Sequence, residues 1–137
     1  MEKENKFRAW DDDAEIMIYS DSHEIENADY WWEIDPLRLC RITGSTGGNT
    51  FEPPEPIVTY YDKIMQFTGL EDLQGERLYE GDICNNEVAE WEIIFNKGCF
   101  CARMLGHKYP ENQTHLALRA IKGLVKIGNI YENHELL

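Results

Sequence analysis

The sequence predicts a mainly β fold with a few short helices, and three observations support this class. Hydrophobic residues make up 42% of the 137 residues, which is enough to build a core. Aromatic residues reach 12%, and aromatic side chains favour pleated, half-buried surfaces. Short apolar runs alternate with turns containing Gly, Asn or Asp, as expected for a small barrel or sandwich of short strands.

Residues 5–19 predict a β-hairpin near the start of the chain. Its strands are Asn5–Trp10 and Glu15–Tyr19, and Asp11–Asp13 forms the turn between them. Aspartates suit this turn because their carboxylates accept hydrogen bonds from nearby backbone N–H groups. The hairpin is expected to belong to an acidic N-terminal lobe.

The middle of the chain predicts one strand followed by a domain boundary. Leu37–Ile42 fits a strand, whereas Thr43–Asn49 is rich in Gly, Ser and Thr and indicates a flexible loop. Glu52–Pro56 contains three prolines and predicts an extended connection. We therefore divide the chain into an N-terminal lobe, residues 1–56, and a C-terminal domain, residues 57–137. Whether the two pack as one compact unit is left open.

The second half contains the most regular succession of strands and turns. Ile57–Phe67 fits either a strand or a short helix, because its periodicity does not distinguish them. Met65–Ile83 predicts strand ends joined by glycine turns, since Gly reaches positive φ without a Cβ clash. Val88–Phe95 alternates, and Asn96–Gly98 predicts a tight turn into a returning strand, Cys99–Leu105. One face of the alternating strand is expected to bear Trp91, Ile93 and Phe95.

The last third predicts one more strand. His107–Thr114 is polar and indicates a loop, and Leu116–Leu124 has no clear pattern. Val125–Ile130 predicts a final strand. Tyr131–Leu137 predicts a terminal helical turn, which Asn133 could cap with its side chain.

The net charge of −13 indicates which kinds of partner the protein can bind. Residues 1–60 contain 14 acidic and 5 basic side chains, so the negative field is strongest in the first half. Such a field repels phosphate backbones and argues against nucleic-acid binding. The simplest interpretation is a solvated acidic surface; the alternative is an acidic face that meets a basic partner or imitates nucleic acid.

The sequence also predicts where the protein is found. It contains no apolar run long enough to cross a bilayer, and its first ten residues lack the apolar core of a secretory signal. We therefore expect a cytoplasmic protein without membrane association, whose four cysteines are reduced.

No catalytic, cofactor-binding or metal-binding residue is predicted. Cys99 and Cys101 could share one face of a strand, but zinc needs four ligands and usually a wider spacing. Both are expected to be small buried hydrophobes. Thr43–Asn49 lacks the Gly-Lys-Ser/Thr ending of a phosphate loop. Asp82 follows Gly81 at the start of a predicted strand, which predicts a structural hydrogen bond to nearby backbone.

The aromatic run Tyr30, Trp31 and Trp32 is the candidate interaction surface. Aromatic side chains within a charged rim suit contacts with another protein. The alternative is that these tryptophans belong to the core, because buried Trp is common.

Four motifs extend from near one end of the chain to the other. They are Lys6–Asp11 (KFRAWD), Met65–Leu70 (MQFTGL), Leu78–Ile83 (LYEGDI) and Ile127–Asn133 (IGNIYEN). In order and spacing they resemble the YopX family of phage and prophage proteins. His134 departs from the family pattern, which usually has Pro after the Asn.

The resemblance implies a protein encoded by a phage or an integrated prophage. It also implies a β-rich fold with a small SH3-like barrel in the C-terminal half. It implies no established activity, so no catalytic or binding residue can be transferred to this chain.

We therefore expect a non-enzymatic accessory protein that acts by binding a host or phage protein. A nucleic-acid-binding module is the first alternative, by analogy with other small barrels. An enzyme of unknown type is the second. Homo-oligomer formation is left open.

Overall fold

The computed structural model describes residues 7–20, 30–33, 36–105 and 115–137. The chain forms two compact units, Met1–Ile64 and Met65–Leu137. The described residues are mainly strand, and their helices are two short 3-10 turns, Leu118–Ala120 and His134–Leu136. The mainly β prediction is confirmed. The predicted boundary after residue 56 falls at the first residue of a strand, eight residues before the division between the units.

Five strands precede the division between the units. They are β1 (Phe7–Asp11), β2 (Ile16–Tyr19), β3 (Tyr30–Glu33), β4 (Arg38–Ser45) and β5 (Pro56–Tyr61). Strands β1 and β2 form the predicted antiparallel hairpin, in register from Arg8 opposite Tyr19 to Asp11 opposite Ile16. The predicted turn chemistry is also confirmed, because Asp11 Oδ1 accepts the backbone N–H groups of Asp13 and Ala14.

Strands β3, β4 and β5 form an antiparallel three-stranded sheet in that order. The predicted loop over Thr43–Asn49 is wrong in its first part, since Thr43–Ser45 continues β4. A register shift between Ile42 and Gly44 leaves Thr43 as the extra residue, and pairing resumes with Gly44 opposite Ile57 and Ser45 opposite Pro56. Cross-strand pairing therefore overrides the local Gly and Ser composition.

The core of the N-terminal unit lies on one face of this sheet. The hairpin supplies Ala9 and Ile18, and the sheet supplies Leu39 and Tyr61; all four are buried. Burying one large apolar side chain stabilises the folded state by about 1.5–3 kcal/mol. Side chains alternate along each strand, so their neighbours in sequence point to the opposite face.

Seven strands follow. They are β6 (Ile64–Glu71), β7 (Arg77–Tyr79), β8 (Asp82–Asn85), β9 (Glu90–Asn96), β10 (Cys99–Met104), β11 (His115–Ala117) and β12 (Val125–Asn129). The last five form an antiparallel sheet in the order β11-β10-β9-β8-β12. Ile57–Phe67, which fitted a strand or a helix, lies in β5 and β6. The SH3-like barrel stays a prediction.

The core of the C-terminal unit lies against this sheet. Its buried members are Leu78, Cys84, Trp91, Ile93, Ala102, Leu118 and Leu124. The predicted tight turn between β9 and β10 is confirmed: Lys97 and Gly98 both have positive φ, 50° and 86°. Phe95 lies on the predicted face beyond the core and is 47% exposed.

The two cysteines after this turn differ. Cys101 is buried as predicted, but Cys99 is exposed, so that part of the prediction is wrong. Cys99 is the first residue after the turn, at the end of the hairpin and beyond the core. The two Sγ atoms lie 3.4 Å apart.

Side-chain hydrogen bonds fix two turns of the C-terminal unit. The prediction for Asp82 is confirmed, because its Oδ2 accepts the backbone N–H of Tyr79 at 2.7 Å. Lys126 Nζ lies 3.2 Å from the same oxygen. Asn133 occupies the N-cap position of the last 3-10 turn, as predicted, but its side chain makes no capping bond and instead accepts the backbone N–H of Asn129. The predicted loop over residues 107–114 lies outside the described residues.

Candidate functional site

The face of the β3–β4–β5 sheet opposite the N-terminal core is the candidate site. The register places Trp31 opposite Cys40, and Cys40 opposite Tyr60, so these three side chains form a row across all three strands. Residues two positions away share that face. We call this surface the outer face; it consists of Trp31, Glu33, Arg38, Cys40, Ile42, Val58 and Tyr60.

Arg38 connects the two aromatic residues of the row. Its Nε donates to Glu33 Oε1 at 2.9 Å, and its guanidinium carbon lies 3.8 Å from the centroid of the Tyr60 ring. Trp31 Nε1 donates to the other oxygen of the same carboxylate at 3.3 Å. The hydrogen bonds from Arg38 and Trp31 lower the pKa of Glu33, so this carboxylate is charged and holds both side chains in place.

The outer face is most accessible at one aromatic and one aliphatic position. Tyr60 is 49% exposed and Ile42 is 37% exposed, whereas Trp31 and Arg38 are half-buried. Cys40 lies fully buried in the row, and burial raises the pKa of its thiol. A buried thiol with a raised pKa is a poor nucleophile, so Cys40 is not suited to covalent chemistry.

The predicted run Tyr30, Trp31 and Trp32 is divided between the two faces. Trp31 lies on the outer face. Tyr30 and Trp32 pack against the N-terminal core, and the Trp32 ring meets Phe7 edge-on with centroids 4.8 Å apart. The alternation of side chains along a strand is the signal in the sequence that separates Trp31 from Tyr30 and Trp32. The residues that flank Arg38 and Tyr60 in sequence contain no signal for this site. Only the strand register brings these two side chains onto the same sheet face as Trp31.

A polar cluster fixes the sheet against the β1–β2 hairpin. Asp11 is fully buried, and its Oδ2 accepts hydrogen bonds from the Tyr30 hydroxyl and from Arg41. Tyr61 donates to Asp13 at 2.8 Å. We call these five residues the Asp11 cluster. Burial alone would raise the pKa of Asp11, but the hydrogen bonds from Tyr30, the backbone and Arg41 outweigh it and lower this pKa.

The stability of the N-terminal unit is expected to fall at both ends of the pH range. The folded pKa of Asp11 lies below its unfolded value of 3.8, so its contribution is present above pH 3.8 and is lost as the pH falls through the folded value. Burial and the bond to Asp13 raise the pKa of Tyr61 from 10.0 to about 12, so its contribution is lost as the pH rises through that range.

Tyr61→Phe tests the alkaline part of this prediction, with Tyr60→Phe as the matched control. Urea unfolding followed by circular dichroism between neutral pH and pH about 12 should show a smaller alkaline loss for Tyr61→Phe only. If both variants and the wild type lose the same stability at alkaline pH, Tyr61 is not the group responsible.

A metal site and a membrane-spanning helix are both absent from the described residues. Within the ranges 7–20, 30–33, 36–105 and 115–137, no three His, Cys, Asp or Glu side chains form a group that could hold a metal ion. Cys99 and Cys101 supply two thiols where zinc takes four ligands. Nor do those ranges contain a helix with the length and apolarity needed to span a membrane.

Comparison with known proteins identifies a similar crystal structure and a matching family. The chain is similar to the crystal structure of protein EF1440 from Enterococcus faecalis, with 26% sequence identity, a TM-score of 0.50 and coverage of 99% of both chains. None of the curated proteins compared matches it. The sequence model described as YopX protein matches residues 6–137. The match covers nearly the whole chain, and we conclude that this protein belongs to the YopX family.

Proposed function

We propose that this chain is a non-enzymatic accessory protein of phage or prophage origin that acts in the cytoplasm by binding another protein through the outer face. One observation supports this above all: Trp31, Arg38 and Tyr60 lie side by side on an accessible sheet face. Trp, Tyr and Arg are the residue types enriched at the centres of protein interfaces.

The arrangement of these side chains also favours binding. Glu33 fixes both Arg38 and Trp31 through hydrogen bonds, and Arg38 stacks on Tyr60. Side chains that are already ordered lose less conformational entropy when a partner binds. The outer face therefore has the features of a preformed anchor for another protein.

The charge of the protein indicates the chemistry of that partner. The net charge is −13, and the first 60 residues contain 14 acidic and 5 basic side chains. A field of this sign steers basic surfaces toward the protein and repels nucleic acid. The proposed partner is therefore a host or phage protein with a basic surface, and its affinity should fall as ionic strength rises.

One buried thiol and one buried carboxylate of the C-terminal unit support a non-enzymatic role. Burial raises the pKa of the Cys84 thiol to about 12, which leaves it unreactive. The Asp72 carboxylate accepts the backbone N–H groups of Gln74, Glu76 and Lys126, so it closes a turn. These groups serve the fold rather than a reaction.

Tyr60→Ala tests the proposal, with Phe95→Ala as the matched control. Both rings are similarly exposed, at 49% and 47%, but Phe95 lies in β9 of the C-terminal unit. The tagged full-length protein should capture a basic partner from a host lysate. With that partner purified, Tyr60→Ala should weaken binding in calorimetry by about tenfold or more, and Phe95→Ala should leave it unchanged.

Two results would contradict the proposal. One is an equal effect of the two substitutions on the purified partner. The other is a clear mobility shift of DNA or RNA at low salt, which would favour the nucleic-acid alternative.

A further inference from the structure

The hairpin between β4 and β5 ends in an unusually exposed phenylalanine. All of residues 43–57, which we call the arm, are exposed. Phe51 lies at its tip and is 92% exposed, more than any other large hydrophobic side chain described. Burying such a ring removes roughly 150–250 Å² from water, so an exposed one is a strong candidate for contact with another surface.

The tip of the arm is held in one conformation by hydrogen bonds. Asn49 Oδ1 accepts the backbone N–H groups of Phe51 and Glu52, both at 2.8 Å. Thr46 bonds Glu55 twice, through its backbone N–H and its hydroxyl, both at 2.9 Å. Phe51 is therefore presented on an ordered support, which reduces the entropy cost of docking.

The C-terminal unit contains an apolar cleft of ≈ 300 Å³. Its apolar lining is Leu70, Leu73, Leu78, Leu118, Ile121 and Leu124. The backbone N–H of Leu73 donates to the carbonyl of Leu124 at 3.0 Å. This bond joins the two chain segments that line the cleft, residues 70–73 and 118–124. A cleft of this volume is at the lower end of the range for small-molecule sites and suits one large side chain.

The charges around this cleft specify the chemistry of its occupant. Arg119 and Lys122 are exposed cations at the rim. Glu71 is an exposed acid there, whereas the Asp72 carboxylate is already bound to three backbone N–H groups. The cleft therefore fits one apolar side chain flanked by carboxylates that can reach the two cations.

The arm has this chemistry: Glu52 follows Phe51 directly, and Glu55 lies on the same exposed tip. We infer that the arm of one copy inserts Phe51 into the cleft of a second copy, with Glu52 and Glu55 beside Arg119 and Lys122. Every copy supplies both halves of the contact, so the protein self-associates. This contact is separate from the outer face and does not depend on the proposed function.

Sedimentation velocity of the full-length chain over a wide concentration range tests the inference. The wild type should associate as its concentration rises. Phe51→Ser should weaken association by about tenfold or more, while Leu137→Ser, which changes another exposed apolar residue, should not. Circular dichroism of each variant verifies that the fold is retained.

Charge reversal identifies the two surfaces that meet. Arg119→Glu with Lys122→Glu should weaken association, and adding Glu52→Lys with Glu55→Lys to that variant should restore it. Three results would overturn the inference. They are a wild type that stays monomeric, equal association of Phe51→Ser and Leu137→Ser, and failure of the second charge reversal to restore association. A monomeric wild type whose cleft binds an acidic, Phe-containing peptide would instead assign the cleft to a foreign partner.

Discussion

Asp11→Ala is expected to destabilise the N-terminal unit by about 3 kcal/mol or more. Asp11 is fully buried, and its carboxylate accepts hydrogen bonds from Tyr30, Arg41 and the backbone of Asp13 and Ala14. Removing the acceptor leaves these donors without their partner in a partly buried site, and an unpaired buried donor costs far more than the net value of its bond.

Asp12→Ala is the matched control for this prediction. Asp12 is the next residue in the same turn, but its carboxylate is about half exposed and pairs with Lys63 at the surface. Exposed ion pairs contribute about 0–1 kcal/mol, so this variant should stay close to the wild type.

Hydrogen exchange under native conditions measures the effect strand by strand. Asp11→Ala should lower the opening free energy of amides in β1 to β5 together, because the Asp11 cluster joins the hairpin to the sheet. Similar losses in Asp11→Ala and Asp12→Ala would show that the cluster does not stabilise this unit.

Gly81→Ala is expected to cost the C-terminal unit about 2–5 kcal/mol. Gly81 has a φ of +91°, a conformation that costs a residue with a Cβ about 1–2 kcal/mol. The added Cβ would lie 3.0 Å from the sulfur of Met65, so that side chain must also move by a few tenths of an ångström. The position cannot adjust freely, because its N–H donates to Ile93 and its carbonyl accepts from Ile130.

Gly75→Ala separates the two causes. Gly75 has nearly the same φ, +86°, but no atom lies within 4 Å of a Cβ added there. Its cost should therefore be the backbone part alone, about 1–2 kcal/mol. Urea unfolding of both variants measures the difference, and equal costs would show that packing around Gly81 adds nothing.

The Asp11 cluster and the outer face occupy opposite sides of the same three-stranded sheet. Arg41 and Tyr61 bind the aspartates of the hairpin from one side, while Arg38 and Tyr60 face outward on the other. The cluster therefore fixes the sheet on which the proposed binding surface is built. This arrangement predicts that loss of Asp11 also weakens binding at the outer face.

Of the candidate site, the sequence identified one residue of the row. Aromatic composition singles out the run Tyr30–Trp32, and strand alternation places only Trp31 on the outer face. Arg38 and Tyr60 were missed because their proximity depends on the pairing of β4 with both neighbours. The exposure of Cys99 was missed for a related reason: the core ends before the turn of the β9–β10 hairpin.

Sequence patterns are sufficient to predict the mainly β class, the first hairpin, the Lys97–Gly98 turn and the structural bond of Asp82. These features depend on contacts between residues a few positions apart, where side-chain chemistry and backbone preference act directly. Which aromatic side chains face outward, and which charges are buried, depends instead on how the strands pair and pack. Tyr61 bonds Asp13 across 48 positions of sequence, and such a contact exists only after strand register has placed the two residues together.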